Sequence, residues 1–484
     1  AALNANTTGA ENIAIGKGAL DANTTANSNV AIGNNALGTN TNGTRNTAIG
    51  SGALQANTTA SDNVGIGHDA LNDVTTGTQN TAIGAYSGDS ITTGSSNNVI
   101  GYLAGAGLTT ASASVALGRS ALQNTTTGSN NVAIGYQALE ANTTASNNTA
   151  VGLQALRLNT TGSQNTVMGA LAGDAITTAS SSVIIGYNAG SQVTIGSGNT
   201  FIGQDAGTST TGSNGKWNVA VGLNALKSNH QFFQSTAVGQ NCLQANTAHG
   251  SAGFGSNCLS ANTSGSGNNG FGYFTLNSCT TGDSNAAFGN AAARYITTGD
   301  GNVCIGSGAG NSITTGTQNI VIGKGADSNA AADSYAIVIT TDQDNTKGAS
   351  TGFIDPNGGG VYQGNNSSSW STTSDRRIKK NIEDNTTGLD AINKIRVRNF
   401  EYRTEDEITD FENPKSALVK KEGVQLGVIA QEIEEILPDV VTEESTGVKT
   451  VNPDNITWYL VNAVKELSTQ VDELKQEIQT LKGE

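Results

Sequence analysis

An apolar residue followed by glycine returns along this chain at a fixed interval. Ile15-Gly16, Ile32-Gly33, Ile49-Gly50 and Ile66-Gly67 open a series whose steps are 17 residues. The series stretches to 19 at Val221-Gly222, shortens to 16 at Phe254-Gly255, and reaches Ile322-Gly323 as its nineteenth member. Such a period means a solenoid, in which each unit rests on its neighbours. Composition fits that reading. Hydrophobic residues make up 36% of the 484, and glycine takes 62 positions, too little apolar material for one layered core. Disorder would not require so strict a period.

Each unit reads roughly Asn-Val-Ala-Ile-Gly-x-x-Ala-Leu-x-x-Asn-Thr-Thr-Gly-Ser-x. The alternation before the glycine has strand period, and the glycine ends the strand because it tolerates positive φ and close approach. Seventeen residues leave room for two short strands and two corners, and none for a helix. The prediction is an all-β parallel solenoid, a β-roll or β-helix of about nineteen 17-residue coils over residues 1–326. At about 4.8 Å per coil the rod would be roughly 90 Å long.

Four residues before the glycine stands Asn in fifteen units and Ser in four: Ser114, Ser182, Ser235 and Ser251. Stacked amides there would hydrogen-bond along the rod axis. Four residues after the glycine there is usually Leu, as at Leu20, Leu37 and Leu54, with a polar residue three positions later. Where that Leu is replaced by Gly88, Gly105, Gly173, Gly190 or Gly310, the later position becomes Ile91, Leu108, Ile176, Val193 or Ile313. One large side chain trades places between two sites, so both face one shared volume.

The four cysteines are Cys242, Cys258, Cys279 and Cys304. Cys242 and Cys258 share a slot in successive coils, but ladder neighbours have poor disulfide torsions, so small buried hydrophobes are expected. No Cys-x-x-Cys or Cys/His cluster points to a metal, and no cofactor is expected. His68, His230 and His249 read as surface or corner residues. The Thr-Thr pairs, such as Thr75-Thr76 and Thr92-Thr93, suit a strand edge or corner; regular Thr rows also occur on ice-binding solenoids.

From residue 327 to 373 the period is lost, and this stretch reads as a neck or cap containing the strand candidate Ala336-Ile337-Val338-Ile339. Residues 374–484 are a separate, smaller α+β module. It opens with Ser374-Asp375-Arg376-Arg377-Ile378-Lys379-Lys380-Asn381-Ile382. A short amphipathic helix follows through Leu389, Ile392 and Ile395, then a strand through Val397, Phe400 and Tyr402, then a polar insert. Ile429, Ile433, Ile436 and Leu437 lie on one helical face ended by Pro438. Leu460, Val464, Leu467, Val471, Leu474, Ile478 and Leu481 form an a/d seam, the mark of a self-associating coiled coil whose strand number the residues leave open.

Net charge is −15, with nine basic and fifteen acidic residues in 1–350 and fifteen and twenty-four beyond. That sign argues against nucleic acid. No run of 18 apolar residues spans a membrane. Residue 1 falls inside a repeat unit, without Met or a signal pattern, so more protein is expected upstream.

The repeats, with their Asn-x-Ala-Ile-Gly core, resemble the head repeats of trimeric autotransporter adhesins and similar repeats in phage tail fibres. The resemblance implies a left-handed parallel roll packed as a homotrimer. Residues 374–484 resemble the endosialidase-type intramolecular chaperone of phage fibres and spikes, a self-cleaving peptidase family. The motifs that carry this are Ser-Asp-x-Arg-x-Lys-x-Asn-Ile, Gly-x-x-Ala-Gln-Glu with Leu-Pro, and the terminal helix. The resemblance implies trimerisation, then cleavage of Thr373–Ser374 by a dyad of Ser374 as nucleophile and Lys379 as general base. A spacing of five puts these side chains ~140° apart on a helix and on opposite faces of a strand, so the segment must bend or the lysine must come from a neighbouring chain. The expected protein is a virion tail fibre that contacts a cell-surface receptor or glycan. The alternatives are a bacterial surface adhesin with a retained trimerisation module, and an ice-binding solenoid.

Overall fold

The triplet before each strand glycine is extended and pairs in parallel with the same triplet one coil on. Nineteen such strands, β1 (Ile13–Ile15) to β19 (Ile320–Ile322), stack in chain order. Ile13, Ala14 and Ile15 face Val30, Ala31 and Ile32. The 19- and 16-residue coils keep that register, with Ile202 facing Val221 and Val238 facing Phe254. The computed structural model describes residues 1–209, 215–228, 234–341, 349, 351–355, 361–363, 370–372, 376, 379–404, 407, 419, 421–443 and 448–483. The chain divides into two compact units, Ala1–Thr373 and Ser374–Glu484.

The expected second strand of each coil does not form. Leu20, Leu37 and Leu54 sit at φ of 49°, 49° and 53°, and Asn35 and Asp69, two residues after their glycines, at 56° and 52°. No extended segment accommodates left-handed residues at that density. Coil-to-coil bonding persists across this turn all the same: Leu20 N–H donates to Ala36 O at 3.1 Å and Leu37 N–H to Ala53 O at 3.0 Å. A left-handed Leu costs about 1–2 kcal/mol, and full burial of its side chain returns roughly 1.5–3 kcal/mol. That balance lets Leu hold a position otherwise suited to glycine.

The Leu-to-Gly exchange is explained by the same geometry. Gly88, Gly105 and Gly173 take φ of 59°, 59° and 54° without the Leu penalty. The vacated volume is filled by Ile91, Leu108 and Ile176, all fully buried. A Cβ on Gly105 would lie 2.7 Å from both Leu108 and Val99. The strand glycine is fixed twice over. Gly84 has φ 132°, and a Cβ there would meet the carbonyl oxygen of Gly101, one coil on, at 2.6 Å.

The asparagine column is buried and bonded on every side. Asn80 is fully buried. Its Nδ2 donates to Gly94 O at 2.9 Å and to Asn63 Oδ1 at 3.2 Å. Its Oδ1 accepts from Asn97 N–H at 3.0 Å and Asn97 Nδ2 at 3.1 Å. At Ser114 the hydroxyl oxygen takes over as acceptor, for Asn131 N–H at 3.3 Å. A second buried amide column, not foreseen from the sequence, runs through Asn23, Asn40 and Asn57, with Asn57 Nδ2 donating to Asn40 Oδ1 at 3.0 Å. The first Thr of each pair also bonds axially: Thr75 and Thr92 hydroxyls donate to the Thr92 and Thr109 carbonyls, both at 3.2 Å.

All four cysteines are free and buried, as expected. The sulfurs of Cys242, Cys258 and Cys304 occupy space released by nearby glycines, since a Cβ on Gly253, Gly270 or Gly310 would meet them at 2.4, 2.5 and 2.4 Å respectively. Burial pushes the Cys279 and Cys304 thiols up to about 12. Those two thiols are therefore protonated and inert at neutral pH. His68 and His249 lie at the surface, and His230 lies outside the described residues.

The period outlasts residue 327. Strand β20 (Ile337–Thr340) stacks on β19 in the same register, Ile320 facing Ile337 and Ile322 facing Ile339, with Thr340 in the glycine slot. Strand β21 (Gly352–Asp355) is the last parallel member. Strands β22 (Val361–Gln363) and β23 (Trp370–Thr372) add on antiparallel and close the parallel stack.

The buried column generates a test. Asn80→Ala orphans donors and acceptors on both neighbouring coils and is expected to cost about 3 kcal/mol, against about 1 kcal/mol for Asn80→Ser. Amide exchange in the flanking coils reads both. Equal acceleration by the two variants would contradict the ladder account.

Candidate processing and assembly site

In the second unit, helix α1 (Leu389–Lys394) precedes strands β24 (Arg398–Phe400) and β25 (Gln425–Gly427), which pair antiparallel. Helix α2 (Ala430–Glu434) and a 3-10 turn at Pro438–Val440 lead into a hairpin, β26 (Val441–Glu443) with β27 (Lys449–Val451). Helix α3 (Pro453–Lys482) ends the unit. The α2 helix is shorter than its apolar pattern suggested, because Gln425–Gly427 is strand and Ile429 is the exposed N-cap. Ile433 and Leu437 are buried, with Val440 and Tyr459, and Ile392, Ile395 and Ile436 pack against them.

Of the residues singled out at the border, Thr373 and Ser374 lie outside the described residues. Arg376, Lys379 and Lys380 are exposed. The Lys379 N–H donates to Arg376 O at 3.3 Å, a one-turn bend. Asn381 follows with φ 54°, which turns the chain again.

Beyond the bend, the segment is fastened to α3. Asn462 Nδ2 donates to Asn385 O at 2.9 Å and to Thr387 O at 3.1 Å. Glu466 Oε2 accepts from Leu389 N–H at 2.9 Å. That places a carboxylate on the N-terminus of α1, whose own N-cap, Gly388, has no side chain to offer. These contacts bridge about 77 residues of chain, and no local pattern announces them. The only sequence hint is that Asn462 and Glu466 are four apart on a helix and away from the heptad seam.

Charged pairs tie the small elements together. Arg398 on β24 donates to Glu432 on α2 at 2.6 Å, and the guanidinium holds the Glu432 carboxyl below the ordinary carboxylate range. Lys449 on β27 pairs with Glu434. The Tyr459 hydroxyl donates to Asp439, and that bond, with burial, pushes the phenol above its usual value. Tyr459 and Ala463 are the buried residues of α3.

The heptad seam is on a different face of α3, and it is bare. Leu460, Val464, Leu467, Val471, Leu474, Ile478 and Leu481 are all exposed, from 42% for Val471 to 79% for Leu481. Among the described residues, no helix is long and apolar enough to cross a membrane.

Residues 374–442 match the model of the peptidase S74 family, the chaperone of endosialidase. Over those residues the chain is similar to the chaperone of endosialidase. No curated protein and no solved structure matches the chain.

The clasp on α3 is testable. Glu466→Ala removes the acceptor at the α1 N-terminus and is expected to cost about 1 kcal/mol, read as faster exchange of the Leu389 amide. Unchanged exchange would show that Glu466 does not cap α1.

Proposed function

We propose that this chain is the shaft of a homotrimeric tail fibre, assembled and then released by its own C-terminal chaperone. The observation that carries the reading is where the family match begins: at residue 374, the serine already singled out as nucleophile. The division of the chain into compact units falls between the same two residues, Thr373 and Ser374. Cleavage there would part shaft from tool.

The chemistry follows from the residues at hand. Ser374 Oγ attacks the Thr373 carbonyl carbon while Lys379 Nζ takes the hydroxyl proton. The peptide C–N bond breaks, leaving an ester on Oγ and a free Ser374 amine. Water then hydrolyses the ester to the Thr373 carboxylate and the Ser374 hydroxyl. A lysine acts as base only when its pKa is brought down by burial or by neighbouring cations. Lys379 is exposed in the single chain, with Arg376 and Lys380 close by in sequence. Assembly would supply the missing burial, and the clasp from Asn462 and Glu466 ties the stretch after the bend to the helix that carries the free seam. Cleavage would therefore wait for the seam to be occupied.

A chaperone suits a shaft of near-identical coils. Chains that can pair with a one-coil slip at little cost need a clamp that sets register first. Once it is zipped, loss of the clamp leaves the shaft kinetically trapped. Tyr102, Arg119 and Tyr136, on successive coils, sit on the turns of the shaft with the cation of Arg119 between the two rings. Those turns are where we place contact with a cell-surface receptor or glycan.

Gel electrophoresis and intact mass of the expressed full chain test the processing step. Wild type is expected to yield fragments ending at Thr373 and beginning at Ser374. Ser374→Ala and Lys379→Met should slow the cut by about 10³-fold or more. An uncut wild type, or a cut surviving in Ser374→Ala, would overturn the peptidase assignment. An uncut trimer would favour a retained anchor, as on a surface adhesin. The double variant Val464→Asp/Leu467→Asp is expected to remain both monomeric and uncut. Cleavage in a monomeric variant would remove the assembly requirement.

A further inference from the structure

Each strand of the shaft turns its middle residue into the core and its two outer residues to the surface. The middle residues, such as Ala82, Val99 and Ala116, are fully buried. The residue just before the glycine position is apolar in all twenty strands from β1 to β20, and none of these is buried. Ile83, Ile100 and Leu117, on consecutive coils, are 38%, 38% and 43% exposed even with neighbours stacked on either side. The parallel column two residues earlier holds Val, Thr, Ile, Ala and Asn. Neither column contains a charge over its whole length, while the charged residues of the same coils lie on the turns, as at Lys17, Asp69, Arg119 and Glu140.

Twenty partly exposed apolar side chains in one line leave on the order of 1,000 Å² of contiguous surface, beyond the few hundred a lone soluble chain carries. It is about what one partner contributes to a stable interface. The surface also has a strict grating. Phe254, Phe271 and Phe288 stack with centroids 4.7 Å apart and planes within 7° and 4° of parallel. A partner that meets every side chain of such a column must repeat at the same rise. A second strand-face of this chain does so.

We infer that this strand face is the surface through which parallel copies of the shaft pack on one another, column to column and in register. The inference rests on the trimeric fibre reading and adds to it which face is buried. Register follows from the column itself. In-register copies set Phe254, Phe271 and Phe288 against their own equivalents, whereas a slip by one coil sets a phenylalanine against Val238 or Ile305.

Two single-cysteine additions in the full chain test this, because the four native thiols are buried. Ile100→Cys lies in the column and Thr93→Cys lies on an exposed turn. In a particle whose mass by light scattering equals several chains, a maleimide should label Ile100→Cys about tenfold or more slowly than Thr93→Cys. A multi-chain particle with both sites labelled equally fast would overturn this interface and leave the trimer reading standing. A single-chain mass would overturn both. As a second arm, Ile83→Asp/Ile100→Asp/Leu117→Asp should lower the assembled mass, while Thr76→Asp/Thr93→Asp/Thr110→Asp should leave it unchanged. Equal effects of the two triples would again count against the column.

Discussion

The shaft depends on a buried column of amides that bond to one another along the rod axis. An unpaired amide in that interior would cost far more than the few tenths of a kcal/mol that a surface substitution costs. Each Asn therefore requires another amide or a hydroxyl one coil away, at one height and on one side. That requirement holds successive coils in line, with the strand glycines close against the carbonyls of the glycines one coil on. It also brings the strand triplets into residue-for-residue register. Where a coil gains two residues, the column and the strand both stay in place, as Asn218 N–H donating to Asn199 Oδ1 across a step of 19 shows; where a coil loses one, the strand keeps its register but the buried Ser235 hydroxyl is left without a partner.

With the backbone so constrained, the core is adjusted by exchange of volume rather than by movement. Leu in a left-handed turn, Ile three residues further on, Phe201 in the strand centre, and cysteine sulfur opposite a glycine are alternative ways to fill the same thin interior. Each enlargement is matched by a glycine nearby, because a close-packed interior tolerates neither a void nor an overlap.

Much of this was legible in the residues. The period gave the coil, the Asn position gave the ladder, and the paired Leu/Gly and polar/Ile changes gave the shared interior. The Ile433 and Leu437 core contacts and the free seam of α3 also followed from periodicity. Other features were hidden for physical reasons. A run such as Gly-x-x-Ala-Leu carries no mark that Leu will be left-handed, so a strand was expected where a turn forms. The residues mark a strand at Ala336–Ile339, one position off the observed Ile337–Thr340, but not its place in the stack, because Thr340 stands where glycine does elsewhere. The clasp of Asn462 and Glu466 on residues 385–389 joins parts far apart in sequence, and no local pattern encodes it. The candidate dyad was read from a motif; of its two members, Lys379 falls among the described residues, where it is exposed.

Each unit taken by itself presents a long apolar line with nothing on it: the strand column of the shaft and the heptad seam of α3. On the function proposed above, further copies of the same chain cover both lines, and the cut at Thr373–Ser374 waits until they are covered. Native mass spectrometry of the product from the full-length chain tests that account most directly. The account predicts a particle of three chains, each ending at Thr373. A single chain, or a trimer still carrying residues 374–484, would contradict it.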